Sequence, residues 1–402
     1  DSLESVEDMT LFYNQTISKL HVGDTARLEH INRYLSSSGN QLFFEDLLYL
    51  KGLVHHYNGR PREGRRLVEN LALQAEAKSG YYNYAIGVWM LEERNYKAAA
   101  AYFKNAKDQG YPYAYLAQGY ALALANQPQQ AAEALQEVGF TENQDMIAVA
   151  QDLKAVLQQD VQRIVAESPD KDKVQFLVAF LPQLNPTEVN ILVQAVQDKD
   201  MKRRALIARV DYLMGKKRWK EAYDAIQDAS SKLQPEGELR SRLNLQQLRL
   251  WLQTGKYDVL LSKMDKLYLT DRDKRQHLYF KARVAEAKGR NEEAAAKYGQ
   301  ALKMLLYDEE VVLAAANFYN KYEPKTEKAY NVLLSGITYN PYAVELYKAY
   351  ALESIDQGLY SYAEQAKEAL QGLLPASEYS TFIQKLDEKR QQAEARADEW
   401  QL

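Results

Sequence analysis

The 402-residue sequence contains no cysteine. Disulfide staples, thiolate metal sites and a cysteine nucleophile are thereby excluded. Glycine (18 residues) and proline (10) are scarce, and alternating apolar and polar runs of strand type are hard to find, so the chain reads as helix throughout. No uninterrupted apolar run approaches the roughly 18 residues that a membrane span needs. The first residue is Asp1 and not Met, which points to a processed or trimmed chain and leaves open the removal of an export signal or lipid anchor. Together with the missing cysteine, this leans toward the bacterial cell envelope, periplasmic or membrane-tethered, with the cytoplasm as the alternative.

A basic excess is also lacking. The formal net charge is −4, and phosphate-driven affinity needs a broad positive field, so nucleic acid is not an expected partner. The charge is uneven: residues 1–200 carry 18 basic and 26 acidic side chains, against 33 and 29 in the remainder. The locally basic stretches Arg60–Arg66 and Lys202–Lys220 read as solvated helix faces.

Catalytic constellations are absent as well. The histidines are His21, His30, His55, His56 and His277. His55 and His56 are adjacent, hence about 100° apart on a helix, and no His-x-x-x-His spacing places two imidazoles on one face. There is no glycine-rich phosphate loop, nucleophile elbow or calcium loop. The pairs Asp170/Asp172 and Glu309/Glu310 stand where helices begin, where capping and the helix dipole account for them. Neither catalysis nor a metal or other cofactor is expected.

What is present is a repeat. At this length one hydrophobic core is too small a solution, since single cores stop growing at about 250–300 residues, and a period near 34 residues emerges instead. Its clearest unit, LYFKARVAEAKGRNEEAAAKYGQAL, ends one helix at Gly289 and carries Ala294, Tyr298 and Ala301 on the next. Spacings of four and three put this small, large, small triplet on one face. It recurs as Ala99/Phe103/Ala106, Ala131/Leu135/Val138, Ala222/Ile226/Ala229, Ala329/Leu333/Gly336 and Ala363/Lys367/Leu370. Gly52/Gly64/Leu71 and the stretch around Gly255 and Tyr257 are looser copies, and Pro341 and Pro375 close two second helices at the same phase.

With aromatics opening second helices (Tyr96, Trp219, Tyr257, Tyr360), the pattern resembles the tetratricopeptide repeat over about residues 42–140 and 203–376. The resemblance implies an all-α, right-handed α-solenoid of antiparallel helix pairs in two sub-arrays, acting as a protein-binding adaptor or scaffold. A permanent structural subunit of a larger assembly is the alternative, and an accessory arm of an enzyme a further one. The expected organisation is 1–140, N-terminal helices and first sub-array; 141–202, a connector broken by Pro169, Pro182 and Pro186; 203–376, second sub-array; 377–402, a capping helix.

In this family the first helix of each pair lines the concave surface. Measured from each small core residue, that face carries Tyr49 and His56, then Tyr81, Tyr84 and Val88, then Tyr113, Leu116 and Tyr120. A tyrosine-lined groove for a protein or peptide partner follows, since tyrosine offers large rigid contact area plus a hydroxyl. In the second half the same face carries Arg204, Arg242, Arg249, Gln276 and Arg283, candidates for an acidic or C-terminal carboxylate. The lysine and asparagine clamp of chaperone-binding members is not reproduced, because Asp211 and Ile207 occupy two of its places.

Overall fold

The first repeats are built around contacts that only a missing side chain permits. A Cβ on Gly87 would stand 2.6 Å from the Phe103 ring, and one on Gly119 would stand 2.5 Å from Leu135. In the looser copy, Gly52 faces Val68 at 2.8 Å and Gly64 faces the Gly52 carbonyl at 2.5 Å. The small residue of the first helix thus receives the large residue of the second, and the two backbones close on each other. The flanking alanines disappear into the same seam: Ala99, Phe103 and Ala106 are all fully buried, as are Ala294, Tyr298 and Ala301. Burying one large apolar side chain contributes about 1.5–3 kcal/mol, so each triplet anchors its pair.

The computed structural model describes residues 3, 5–20, 26–37, 42–305, 308–324 and 326–399. They form helices, turns and loops with no strand among the described residues. The chain divides into two compact units, Asp1–Gln158 and Gln159–Leu402. The first holds the pairs Phe44–Tyr57 with Pro61–Gln74, Ser79–Glu92 with Tyr96–Asp108, and Tyr113–Leu124 with Pro128–Gln136. The second holds Lys199–Gly215 with Trp219–Asp228, Gly237–Gln253 with Tyr257–Lys263, Gln276–Ala287 with Asn291–Met304, Glu309–Tyr322 with Lys328–Tyr339, and Val344–Asp356 with Tyr360–Leu373. The two helices expected before residue 40 are Val6–Ile17 and Ala26–Leu35; His21, between them, and the last residues of the expected capping helix lie outside the described residues.

The turn inside all of these pairs except Glu309–Tyr322 with Lys328–Tyr339 is the same device repeated. Gly59, Arg94, Asn126, Lys217, Gly255, Gly289 and Gly358 all take positive φ, between 56° and 77°. The next residue returns its N–H to the carbonyl five positions back, as in Asn95 to Met90 (2.8 Å), Arg218 to Leu213 (2.9 Å) and Arg290 to Ala285 (2.9 Å). These are Schellman caps, which satisfy carbonyls that the ending helix orphans. Proline at the first helical position, in Pro61–Gln74 and Pro128–Gln136, starts second helices where no N–H is needed.

One sequence expectation is revised by packing. Lys367 does not fill the centre of the last triplet; Ala366 is buried there with Ala363 and Leu370, while Lys367 turns outward to Glu364 at 3.5 Å. A charged head keeps its hydration by this one-step shift in the buried stripe. The boundary between the two units lies within 141–202: Gln144–Leu157 buries Met146, Ala150, Leu153 and Leu157 in the first unit, and the remainder belongs to the second. There Asp170 accepts the Gln197 and Asp198 backbone N–H groups at 2.7 and 2.6 Å. Lys202 Nζ donates to the Val193 and Val196 carbonyls at 2.5 and 3.0 Å, closing the end of Pro186–Ala195. The last helix, Ala376–Glu399, lays Phe382 and Leu386 into the core of the preceding pair.

Candidate functional site: a tyrosine face

In the first unit, Ser79–Glu92 and Tyr113–Leu124 are the first helices of consecutive pairs, and their tyrosines meet. Tyr81 is 38% exposed, Tyr113 55% and Tyr120 44%. Ring centroids run from Tyr49 to Tyr81 (5.4 Å), Tyr81 to Tyr111 (6.0 Å), Tyr111 to Tyr84 (4.9 Å) and Tyr111 to Tyr113 (5.7 Å). The contacts are edge-on or tilted, the arrangement that aromatic quadrupoles prefer. Tyr113 and Tyr120 are seven residues apart on one helix and so share a face.

The groups titrate as a partly dry cluster should. Burial, then Tyr81 and Asp46, push the Tyr13 phenol up to about 12. Burial, then Tyr113, raises Tyr84, and burial followed by Tyr84, Tyr81 and Tyr113 raises Tyr111. All of these hydroxyls stay protonated near neutrality, and the face carries donors and no charge.

Tyr49 and His56 are corrections to the expected groove. Tyr49 is 9% exposed and forms the floor beneath Tyr81 and Tyr82. His56 is 6% exposed, stacked on Trp89 at 4.3 Å, with Nε2 3.6 Å from Glu92. Both sit where neighbouring first helices touch, and aromatic area there is worth more buried than wetted. Tyr111 was not legible as a site residue, because it stands in the turn before its helix, outside the helical register. Arg65 was also missed: in place of a solvated face it is 1% exposed, bonded to Glu69 (2.7 Å) and to the Tyr102 hydroxyl, which donates to Glu69 at 2.8 Å. It ties Pro61–Gln74 to Tyr96–Asp108, across two repeats.

In the second unit the arginines meet the protein's own acids. Arg242 pairs with Asp211 at 2.8 Å, Arg249 with Glu310 at 3.5 Å, and Arg283 with Glu286 at 3.7 Å while donating to the Tyr279 hydroxyl at 3.1 Å. Tyr279 in turn donates to Glu310 at 3.0 Å. Burial disfavours the charge of Arg249, but Glu310 and Asp308 outweigh it and its pKa rises. Asp211 and Glu310 come from other first helices than their arginines, whereas Glu286 and Tyr279 share the helix of Arg283. Arg204 is exposed. Further along, a cavity of about 690 Å³ is lined by Leu313, Asn317, Lys348, Leu352 and Phe382, among others.

The fold is an all-α, tetratricopeptide-like array of helix pairs. No family model matches the chain, and no curated protein does. Among solved structures, the TPR domain of P58(IPK) aligns over 89% of this chain and 99% of its own, with 16% sequence identity and a TM-score of 0.27. At that score the two do not superpose closely, so the resemblance stands on the period, the glycine-to-aromatic seam and the repeated caps. Arrays of this type present extended surfaces to protein partners. No helix among the described residues is long and apolar enough to cross a membrane.

Proposed function

We propose that the chain is a non-catalytic interaction scaffold that holds an extended segment of a partner protein on the tyrosine face of its first unit. The observation that carries this reading is the exposure of Tyr81, Tyr113 and Tyr120 on consecutive first helices. Tyrosine rings left in water at the surface of a repeat array cost solvation and return little packing, whereas in contact with a partner they are the commonest anchors. In the second unit, Arg242 and Arg249 serve internal pairing between repeats.

A second reading, a permanent subunit of a larger cell-envelope assembly, is favoured by Phe140 and Val149, 78% and 52% exposed. Permanent interfaces bury such side chains over large areas. The two readings separate in an affinity capture from the source cells that compares the wild type with Tyr81→Ala/Tyr113→Ala/Tyr120→Ala, each checked by circular dichroism. A scaffold loses its partner with helicity intact; a subunit docked through Phe140 and Val149 keeps it.

A further inference from the structure

Resting on that reading, we propose that the segment held on the tyrosine face is proline-rich and in the polyproline II conformation, seated on Tyr81, Tyr84, Tyr111 and Tyr113. The segments that carry the rings are uncharged: residues 79–91 and 109–132 contain no Asp, Glu, Lys, Arg or His. Glu45 and Asp46, the nearest acids in sequence to Tyr49, are both taken by Lys78, at 3.4 and 3.6 Å. A charged segment laid along these segments would lose hydration and find no counter-charge on them.

The hydroxyls narrow the chemistry further. Those of Tyr84, Tyr111 and Tyr113 form no hydrogen bond among the described residues, although elsewhere Tyr102 bonds Glu69, Tyr279 bonds Glu310 and Tyr298 bonds Glu286. The face therefore offers aromatic surface with spare donors. A helical ligand consumes its own carbonyls and would leave those donors unmatched. Proline has no N–H, and the polyproline II backbone has no internal hydrogen bonds, so its carbonyls are all free to accept.

Shape agrees with this. Neighbouring rings are inclined at 69° (Tyr81 and Tyr111), 48° (Tyr84 and Tyr111) and 55° (Tyr111 and Tyr113). Tilted rings leave shallow angles between them that pyrrolidine rings can occupy, as in other aromatic grooves that read this conformation at low entropic cost.

The test is calorimetric titration of the full 402-residue chain with a proline decapeptide, against a Gly-Ser decapeptide and chitohexaose. Saturable binding of the proline peptide alone is expected, weakened roughly fivefold by Tyr84→Phe or Tyr113→Phe, which remove one hydroxyl each and keep the ring. Tyr111→Ala/Tyr113→Ala abolishes it, and raising salt from about 50 to about 500 mM leaves it within about twofold. No binding of the proline peptide, binding indifferent to both Phe variants, or chitohexaose binding in its place overturns the proposal. If the peptide fails while Tyr81→Ala/Tyr113→Ala/Tyr120→Ala still loses the native partner, the proline chemistry is wrong and the scaffold reading stands. If that variant keeps every partner, both fall.

Discussion

Gly87 faces Phe103 so closely that a Cβ would lie 2.6 Å from two atoms of the ring. The same bare position recurs at Gly119 against Leu135, at 2.5 Å. Gly299, in the middle of a second helix, has nothing within 4 Å of an added Cβ. Gly87→Ala should therefore lose about 1–2 kcal/mol, overpacking outweighing the gain in helix propensity, while Gly299→Ala should gain about 0.5–1. Urea midpoints compare them; a Gly87→Ala variant as stable as the wild type or more so would contradict the seam.

Lys217 and Arg94 hold the left-handed turn position, with φ of 56° and 58°, that glycine holds in Gly255 and Gly289. Only a missing Cβ makes that conformation free of strain. Lys217→Gly should raise stability by about 0.5–1 kcal/mol and Gly255→Ala should lower it by about 1. Thermal melts at equal concentration distinguish the two directions.

Tyr102 both accepts from Arg65 and donates to Glu69. Tyr102→Phe leaves a buried guanidinium short of an acceptor and should cost about 1–3 kcal/mol. If the loss is no greater than that of Tyr223→Phe, a 41% exposed tyrosine in the second unit, the inter-repeat tie is not stabilising.

Acid and alkaline limbs have separate causes. The Asp198 backbone N–H, with Gln197 and Lys173, holds the Asp170 carboxyl below its ordinary value against the opposing effect of burial. Its contribution is fully present above the unfolded pKa of about 3.9 and is lost as pH falls through the lower folded value. Asp170→Asn should destabilise at neutrality and flatten the acid limb. Tyr13, pushed up to about 12 chiefly by burial, contributes below an unfolded pKa of about 10 and ceases to as pH rises through 12. Chemical denaturation across both limbs, with tyrosinate absorbance on the alkaline side, checks the signs.

The repeat was legible because its information is one-dimensional: Gly87, Ala99, Phe103 and Ala106 lie within one unit, and their spacing alone aligns them. Lys367 misled because the apolar stripe shifts by a single residue to Ala366, which a fixed template does not follow. The tyrosine face was half legible. Tyr81, Tyr84, Tyr113 and Tyr120 follow from helical phase, but whether a ring is floor or surface depends on the neighbouring repeat, and Tyr49 and His56 became floor. The arginines read as ligand groups because their partners, Asp211 for Arg242 and Glu310 for Arg249, lie 31 and 61 residues away in sequence. Pairing at such a distance is set by packing between repeats, which no local spacing encodes.

The most direct test of the proposed recognition face is the stability of Tyr113→Ala/Tyr120→Ala beside that of Tyr298→Ala. Tyr298 is fully buried and bonded to Glu286 at 2.6 Å, so its loss should cost about 3–5 kcal/mol. The double variant should stay within about 1 kcal/mol of the wild type, since exposed rings stabilise little. A drop in the double variant as large as that of Tyr298→Ala would show that these tyrosines hold the fold together, and the face would not be free to recognise anything.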